Sequence, residues 1–113
     1  MKKTAWLILG EKQYEICFTM RTLAAFERKI GKSVISLFAG GVVHMVEEVS
    51  IDVTVAGLQY GLGVTEERAY EILDEAFEAG VNLDIVNGHI IKAIQATGLF
   101  GKPQEAAEKK AGK

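Results

Sequence analysis

Gly31, Lys32 and Ser33 form a Gly-Lys-Ser sequence, the residue order that ends the phosphate-binding loop of P-loop nucleotide enzymes. Such a loop also needs a glycine five residues before Gly31, because backbone N–H groups must wrap around the phosphates. Phe26 holds that position, inside a segment with helical spacing. The sequence therefore favours a turn between two helices, with Gly31 ending the first and Ser33 capping the second.

The remaining residues with reactive side chains do not combine into a recognisable site. Neither His44 nor His89 belongs to a set of three or four residues with the spacing of metal ligands,. Cys17 is the single cysteine and lies in an alternating apolar segment without basic neighbours, so we expect a buried, unreactive thiol in a reducing compartment,. We therefore expect a protein that is not an enzyme and that needs neither a metal nor another cofactor.

Four glutamates form the most unusual pattern in the chain. Glu67, Glu71, Glu75 and Glu78 are spaced at i, i+4, i+8 and i+11, which places them on one face of a helix,. Like charges at this spacing repel one another by a few tenths of a kcal/mol per pair. The stripe has two open interpretations, a solvated face that keeps the domain in solution or a docking surface for a basic partner.

Apolar residues at both ends of the predicted core form a second candidate surface. Trp6 lies in a strand-like segment that is apolar on both faces, and Leu99 and Phe100 follow the last predicted helix. They either complete the core or form an exposed patch for a partner or for self-association.

A β-hairpin is predicted at the start of the chain. Residues 5–9 and 13–18 are rich in aromatic and β-branched side chains, and a turn containing Gly10 separates them,. Thr19 can then cap a helix that ends at Gly31. Because an isolated two-stranded hairpin is only marginally stable, it must pack on helices or pair with another chain.

Three helices are predicted after residue 50, with Ser50, Thr65 and Asn82 as their N-caps,. Residues 50–55 also alternate like a strand, but the helical spacing continues through Leu62 and favours a helix,. Gly88 lies inside the third and costs about 1 kcal/mol relative to alanine, so we expect close packing or a bend there. Shorter helical segments are predicted over 34–38 and 42–49. The apolar stripes of the three helices are Ile51, Val55, Leu58 and Leu62, then Ala69, Ile72, Leu73, Ala76 and Phe77, then Leu83, Val86, Ile90 and Ile94,.

These elements predict a mainly α fold, in which an N-terminal β-hairpin is followed by a compact bundle of about four to five short helices. The chain has 113 residues, 49% hydrophobic and 25% charged, which allows one globular domain over residues 1–101. Residues 102–113 contain no large apolar side chain, so we expect a disordered basic tail,.

The distribution of charge limits the kinds of partner. The net charge is −2, although the tail carries four lysines against two glutamates, so the domain itself is acidic. Nucleic acid is therefore not expected as a partner, because phosphate binding needs a concentrated basic face. No apolar segment is long enough to span a membrane, and a cytoplasmic location is expected.

In the order of its motifs, the chain resembles the tail assembly chaperones of long-tailed bacteriophages and prophages. The resemblance covers about residues 14–98 and includes "FTMRTLAAFERKIGKSVISLF", "VAGLQYGL" and "VTEERAYEILDEAFEAG". It implies a protein that binds the phage tape measure protein and tail tube protein during tail assembly, either as a monomer or as a homo-oligomer, and that is absent from the finished virion. The alternative is a structural tail component, a tube or connector subunit that remains in the virion.

The family resemblance also implies a possible second product of the same gene. Many such chaperones are made in two lengths by a programmed ribosomal frameshift near the end of the shorter reading frame. Glu108-Lys109-Lys110 could be encoded by an A-rich slippery heptamer, and Gly112-Lys113 by a G-rich one. We therefore expect that this chain is the shorter product, which the nucleotide sequence of these codons would test.

Overall fold

The computed structural model of the chain describes residues 4–34 and 50–99. A β-hairpin is followed, in these residues, by four helices, which confirms the predicted mainly α fold with an N-terminal hairpin. The predictions for residues 35–49 and for the tail 102–113 lie outside the described residues. The elements are β1 (Thr4–Leu9), β2 (Lys12–Cys17), α1 (Met20–Ile30), α2 (Ile51–Leu62), α3 (Glu66–Glu78) and α4 (Leu83–Ala96).

The hairpin has one face on the helices and one face away from them. β1 and β2 pair antiparallel around a turn in which Gly10 has φ of 63°. Successive side chains of a strand point to opposite faces, so Leu7 and Leu9 of β1 are buried together with Ile16 of β2. Helix α4 packs against both strands and α2 packs against β2, which supplies the helical support that the sequence predicted.

Each helix begins at the predicted N-cap residue. In all four, the side chain of the cap accepts a hydrogen bond from the backbone N–H three residues later, which satisfies one of the free donors of the first turn. The α1 cap is reinforced because the hydroxyl of Thr22 accepts a bond from the backbone N–H of Thr19. The four caps are Thr19, Ser50, Thr65 and Asn82.

Helix α2 is the central element of the core, since it packs against α1, α3, α4 and β2. Two glycines allow its neighbours to approach closely. A Cβ atom at Gly57 would lie 2.9 Å from Ile90 of α4, and one at Gly61 would lie 2.6 Å from Ile16 of β2. Any larger residue at Gly61 must therefore displace the hairpin or distort the helix.

A buried polar contact that the sequence did not predict links α2 and α4. The Thr54 hydroxyl donates a hydrogen bond of 2.7 Å to Asn87 Oδ1, and it also lies 2.9 Å from the backbone carbonyl of Ser50. Thr54 is fully buried and Asn87 is 7% exposed. Because unsatisfied buried polar groups are costly, this contact fixes the relative position of the two helices.

The structure corrects two sequence-based expectations about packing. The spacing predicts that Phe77 belongs to the buried stripe of α3, yet it is 53% exposed, whereas Leu73 and Ala76 of the same stripe are buried. Ile51 is 57% exposed because it is the first residue of α2, at the very end of its stripe. At Gly88, where the sequence predicts either close packing or a bend, nothing lies within 4 Å of a built Cβ, so close packing is absent.

Candidate protein-binding surfaces

Cations of this chain contact two of the four glutamates in the acidic stripe of α3. Glu75 Oε1 accepts a hydrogen bond of 2.6 Å from the Tyr14 hydroxyl of β2, and Glu75 Oε2 lies 3.2 Å from Arg68 Nη1 and 3.4 Å from Lys12 Nζ. Glu71 Oε1 lies 3.1 Å from the same Arg68 nitrogen. Two of the four glutamates are thus neutralised within the chain, and Glu75 connects the hairpin to α3.

The protonation states in this cluster follow from its contacts. The hydrogen bond from Tyr14 is the main cause that lowers the pKa of Glu75 below its usual value of 4.5, although desolvation opposes it. Desolvation, together with the bond to the Glu75 carboxylate, raises the pKa of Tyr14 above 10.0. At neutral pH Tyr14 is therefore a protonated donor and Glu75 a charged acceptor, an arrangement that holds two elements together and supplies no free base.

Three other carboxylates of α3 form a row facing solvent. Glu67, Asp74 and Glu78 are exposed and make no ion pair or side-chain hydrogen bond with any other part of the described chain. Beside this row, Tyr70 and Phe77 are 42% and 53% exposed. Seven residues are about two helical turns, so the two aromatic rings lie one above the other along the helix. We call these five residues the α3 outer face.

Sequence reasoning found only part of the α3 outer face. Glu67 and Glu78 were identified as candidate partner-binding residues, whereas Asp74 and Tyr70 were missed. The sequence does contain a pattern that indicates these residues, because Tyr70 and Phe77 are one heptad apart and Asp74 is one heptad after Glu67. The prediction used only the spacing of the acidic residues and therefore included Glu71 and Glu75. In the structure, cations of this chain contact both of them.

The side of the hairpin that points away from the helices is the second candidate surface. Trp6 is 41% exposed and Ile8 is 56% exposed. In the strand register they lie opposite Glu15 and Gln13 respectively. Because directly paired residues of antiparallel strands share a face, these residues form one mixed surface, which we call the hairpin outer face.

Cys17 also belongs to this side of the sheet, opposite Thr4. The expectation of a buried thiol was wrong, since Cys17 is exposed. The reason is the alternation of the strand, in which Ile16 occupies the buried position next to it,.

The predicted apolar end of the domain is partly inside the core. Leu99 is half-buried and packs against the core cluster. Phe100, the other candidate contact residue there, lies outside the described residues. The structure therefore offers Trp6, and not Leu99, as the more exposed of the apolar candidates.

Two of the residues examined for chemistry, Gly31 and His89, contact the backbone of their own helices, whereas His44 lies outside the described residues. Gly31 has φ of 72°, and its backbone N–H donates to the Glu27 carbonyl, so the predicted helix C-cap is confirmed. His89 Nδ1 lies 2.8 Å from the Ile85 carbonyl. Within residues 4–34 and 50–99, no group of three or more His, Cys, Asp or Glu side chains could hold a metal ion. No helix within these ranges is long and apolar enough to cross a membrane.

Comparison with known proteins gives one match. A family model described as a family of unknown function, DUF6096, matches residues 1–113, the full length of the sequence. No curated protein and no solved structure matches the chain. The family description names no activity or partner, so a functional argument has to start from the two exposed surfaces.

Proposed function

The chain belongs to the DUF6096 family, and we propose that it acts as a phage tail assembly chaperone in the cytoplasm of the host bacterium. In this role it binds the tape measure protein and the tail tube protein while the tail grows, and it catalyses no reaction. The observation that carries the proposal is the presence of two exposed surfaces with large apolar side chains, the α3 outer face and the hairpin outer face, on one small domain. The motif order over residues 14–98, which resembles that of the tail assembly chaperones, supports it further.

The physical requirements of such a chaperone fit these surfaces. A tape measure protein is long and helical, and its apolar side chains are exposed until tube subunits enclose them. A chaperone must cover these side chains and later release them, which requires small contacts with fast dissociation. Stable interfaces bury about 800 Å² on each partner, whereas each surface here offers two large apolar side chains. Contacts of this size favour reversible binding.

A pull-down after coexpression tests the proposal. The full chain, carrying an affinity tag, is coexpressed with the tape measure protein of the same phage or prophage genome and, separately, with its tail tube protein. We expect each client to coelute, and we expect more of the tape measure protein to remain in the supernatant than when it is expressed alone. If neither client coelutes and its aggregation is unchanged, the proposal is wrong.

The structural tail component remains the second candidate, because an edge of the two-stranded sheet could accept a strand from another subunit,. Mass spectrometry of purified mature particles separates the two functions. A chaperone should be absent from the particles, whereas a tube or connector subunit should be present in many copies. Ring formation by the isolated chain would also favour the structural component.

A further inference from the structure

We infer that the α3 outer face binds a basic amphipathic helix of the client protein, with apolar side chains against Tyr70 and Phe77 and cationic side chains against Glu67, Asp74 and Glu78. This inference rests on the proposed function and names the segment of the client that is recognised. It differs from the earlier interpretation of the acidic stripe, because it includes two aromatic rings and leaves out the glutamates that are already paired.

The apolar part of the α3 outer face has the dimensions of a helix–helix contact. Tyr70 and Phe77 are seven residues apart, which corresponds to about 10.5 Å along the helix axis. Apolar side chains separated by one heptad in a partner helix have the same spacing. Aromatic residues are enriched among the side chains that dominate binding energies, because they bury a large area with few rotatable bonds. The two rings can therefore hold two successive turns of an amphipathic helix.

The charge of the α3 outer face selects a basic occupant. Among the described residues, the cations that contact α3 are paired with other carboxylates, since Arg68 contacts Glu71 and Glu75, Lys12 contacts Glu75 and Lys29 contacts Glu66. The row of Glu67, Asp74 and Glu78 faces solvent without an ion-pair partner in the described part of the chain. Lysine or arginine side chains along one edge of the client helix would neutralise it, and an arginine could also stack on the Tyr70 ring.

A second copy of this chain is a poorer occupant. Its most basic described helix is α1, which exposes only Met20 among its large apolar side chains. The Lys29 side chain of that helix is already paired with Glu66. A dimer through α1 and α3 would therefore match the charges of the α3 outer face but leave one of its aromatic rings without an apolar partner.

A designed peptide tests the inference directly. The probe is a labelled peptide of about 20 residues, long enough to form a helix, with leucines on one face and lysines along its edges. A matched peptide has glutamate in place of every lysine. Using the full chain and fluorescence anisotropy, we expect the lysine peptide to bind at least about tenfold more tightly than the glutamate peptide.

Substitutions then show where the peptide binds. Tyr70→Ser combined with Phe77→Ser should weaken binding about tenfold or more, because both apolar contacts are lost. Ile85→Ser is the matched control, since Ile85 is 45% exposed but lies on α4. Circular dichroism and thermal unfolding establish that each variant remains folded. Equal weakening by the control, or no weakening by the aromatic double variant, would overturn the inference.

A charge-matched pair of variants separates local contacts from overall charge. Glu67→Gln with Glu78→Gln removes two charges from the α3 outer face, and Glu11→Gln with Asp52→Asn removes two exposed charges elsewhere. We expect the first pair to weaken binding several-fold more than the second and to reduce its dependence on salt. Equal effects would mean that the peptide responds only to net charge, which contradicts the inference.

The remaining outcomes distinguish the inference from the proposed function. If the tape measure protein coelutes equally with the wild type and with the Tyr70→Ser/Phe77→Ser variant, the function holds and the inference fails. If the lysine peptide binds as expected but no tail protein coelutes, the surface is correct and the phage function is wrong. Sedimentation of the free chain tests the other candidate occupant, a second copy of this chain. If the wild type is a dimer and the Tyr70→Ser/Phe77→Ser variant is a monomer, the inference is wrong.

Discussion

Glu75 and Glu67 lie on the same face of the predicted acidic stripe, yet their side chains meet different surroundings. Glu75 accepts the Tyr14 hydroxyl at 2.6 Å and contacts two cations, whereas Glu67 extends into solvent. The spacing along the helix determines which residues share a face, but the hairpin determines which of them is covered. At the scale of single residues, the roles of the four glutamates therefore depend on contacts with distant parts of the chain.

The bond between Tyr14 and Glu75 should contribute measurably to stability. We expect Tyr14→Phe to lower the free energy of unfolding by about 1 kcal/mol, since the hydrogen bond that Tyr14 donates to the Glu75 carboxylate and the longer one that it accepts from Arg68 Nη2 are both lost,. Glu75→Gln should cost a similar amount. Urea denaturation of both single variants and the double variant gives their coupling energy, expected at about 0.5 to 1.5 kcal/mol. A coupling near zero would contradict this prediction.

The same contact predicts that the free energy of unfolding depends on pH in the acidic range. The folded-state pKa of Glu75 is lowered, chiefly by the Tyr14 hydrogen bond, so its contribution is present above its usual pKa of 4.5 and is lost as the pH falls through the folded-state value,. The difference in unfolding free energy between the wild type and Glu75→Gln should therefore shrink below pH 4.5. Denaturant titrations from pH 7 downward measure it, and a difference independent of pH would contradict the assignment.

At alkaline pH, the ionisation of Tyr14 should make the protein less stable as the pH rises, the opposite direction to the effect of Glu75 in acid. Its pKa is raised in the folded state by desolvation and by Glu75, so above pH 10.0 the unfolded chain loses the phenolic proton more readily than the folded chain,. Stability should consequently decrease as the pH rises past 10.0. Tyr14→Phe removes this group, and its unfolding free energy should fall less steeply over the same range. Parallel curves for the two proteins would show that other groups cause the decrease.

Glycines of two helices provide a matched test at the scale of elements. A Cβ at Gly61 of α2 would lie 2.6 Å from Ile16 Cγ2, whereas a Cβ at Gly88 of α4 would meet nothing within 4 Å. We expect Gly61→Ala to destabilise the protein by about 1 to 2 kcal/mol, because overpacking exceeds the gain in helix propensity. Gly88→Ala should stabilise it by about 0.5 to 1 kcal/mol. Thermal unfolding compares them, and two changes of the same sign would contradict the packing described for α2.

Local signals explain why the secondary structure was predictable. Thr19, Ser50, Thr65 and Asn82 are short polar side chains before helical apolar spacing, and each caps the helix predicted for it. Such interactions span three residues, so they are contained in the sequence itself. The hairpin was predictable for the same reason, since Gly10 separates two short apolar segments.

Contacts between elements explain what the sequence did not predict. The Thr54–Asn87 hydrogen bond joins residues 33 positions apart, and the Tyr14–Glu75 bond joins residues 61 positions apart. No periodicity within one helix indicates either pair. For the same reason Phe77 was assigned to the core, because its position at the edge of the α3 stripe leaves burial to be decided by neighbouring elements,. The acidic spacing therefore indicated the helix that carries the α3 outer face, but only part of the residues exposed there.

At the scale of the whole molecule, the two candidate surfaces belong to different elements and point away from different neighbours. The hairpin outer face is directed away from α2 and α4, which cover the inner side of the sheet. The α3 outer face is opposite the side of α3 that packs on α2. A short helical peptide can bind one of these surfaces alone, whereas a large client could contact both. The size of the bound partner should therefore determine which surface is covered.

Trp6 is the only tryptophan of the chain and lies on the hairpin outer face, 41% exposed. Labelling the chain with 5-fluorotryptophan gives a single fluorine signal that no client contributes to. We expect this signal to stay unchanged when the lysine peptide binds, because the peptide docks on α3. When the tape measure protein binds, the signal should shift or broaden, since two aromatic rings on α3 are too small a surface to hold a large client without the hairpin.

The controls for this experiment use the same label. Ile8→Ser changes the neighbour of Trp6 on the hairpin outer face and should weaken the response to the tape measure protein. Tyr70→Ser with Phe77→Ser should weaken peptide binding about tenfold or more and leave the fluorine signal of the free chain unchanged. A signal that shifts equally with the peptide and with the tape measure protein would show that the two surfaces are not independent. In that event the peptide also reaches the hairpin, and the separation of client contacts between β1 and α3 is wrong.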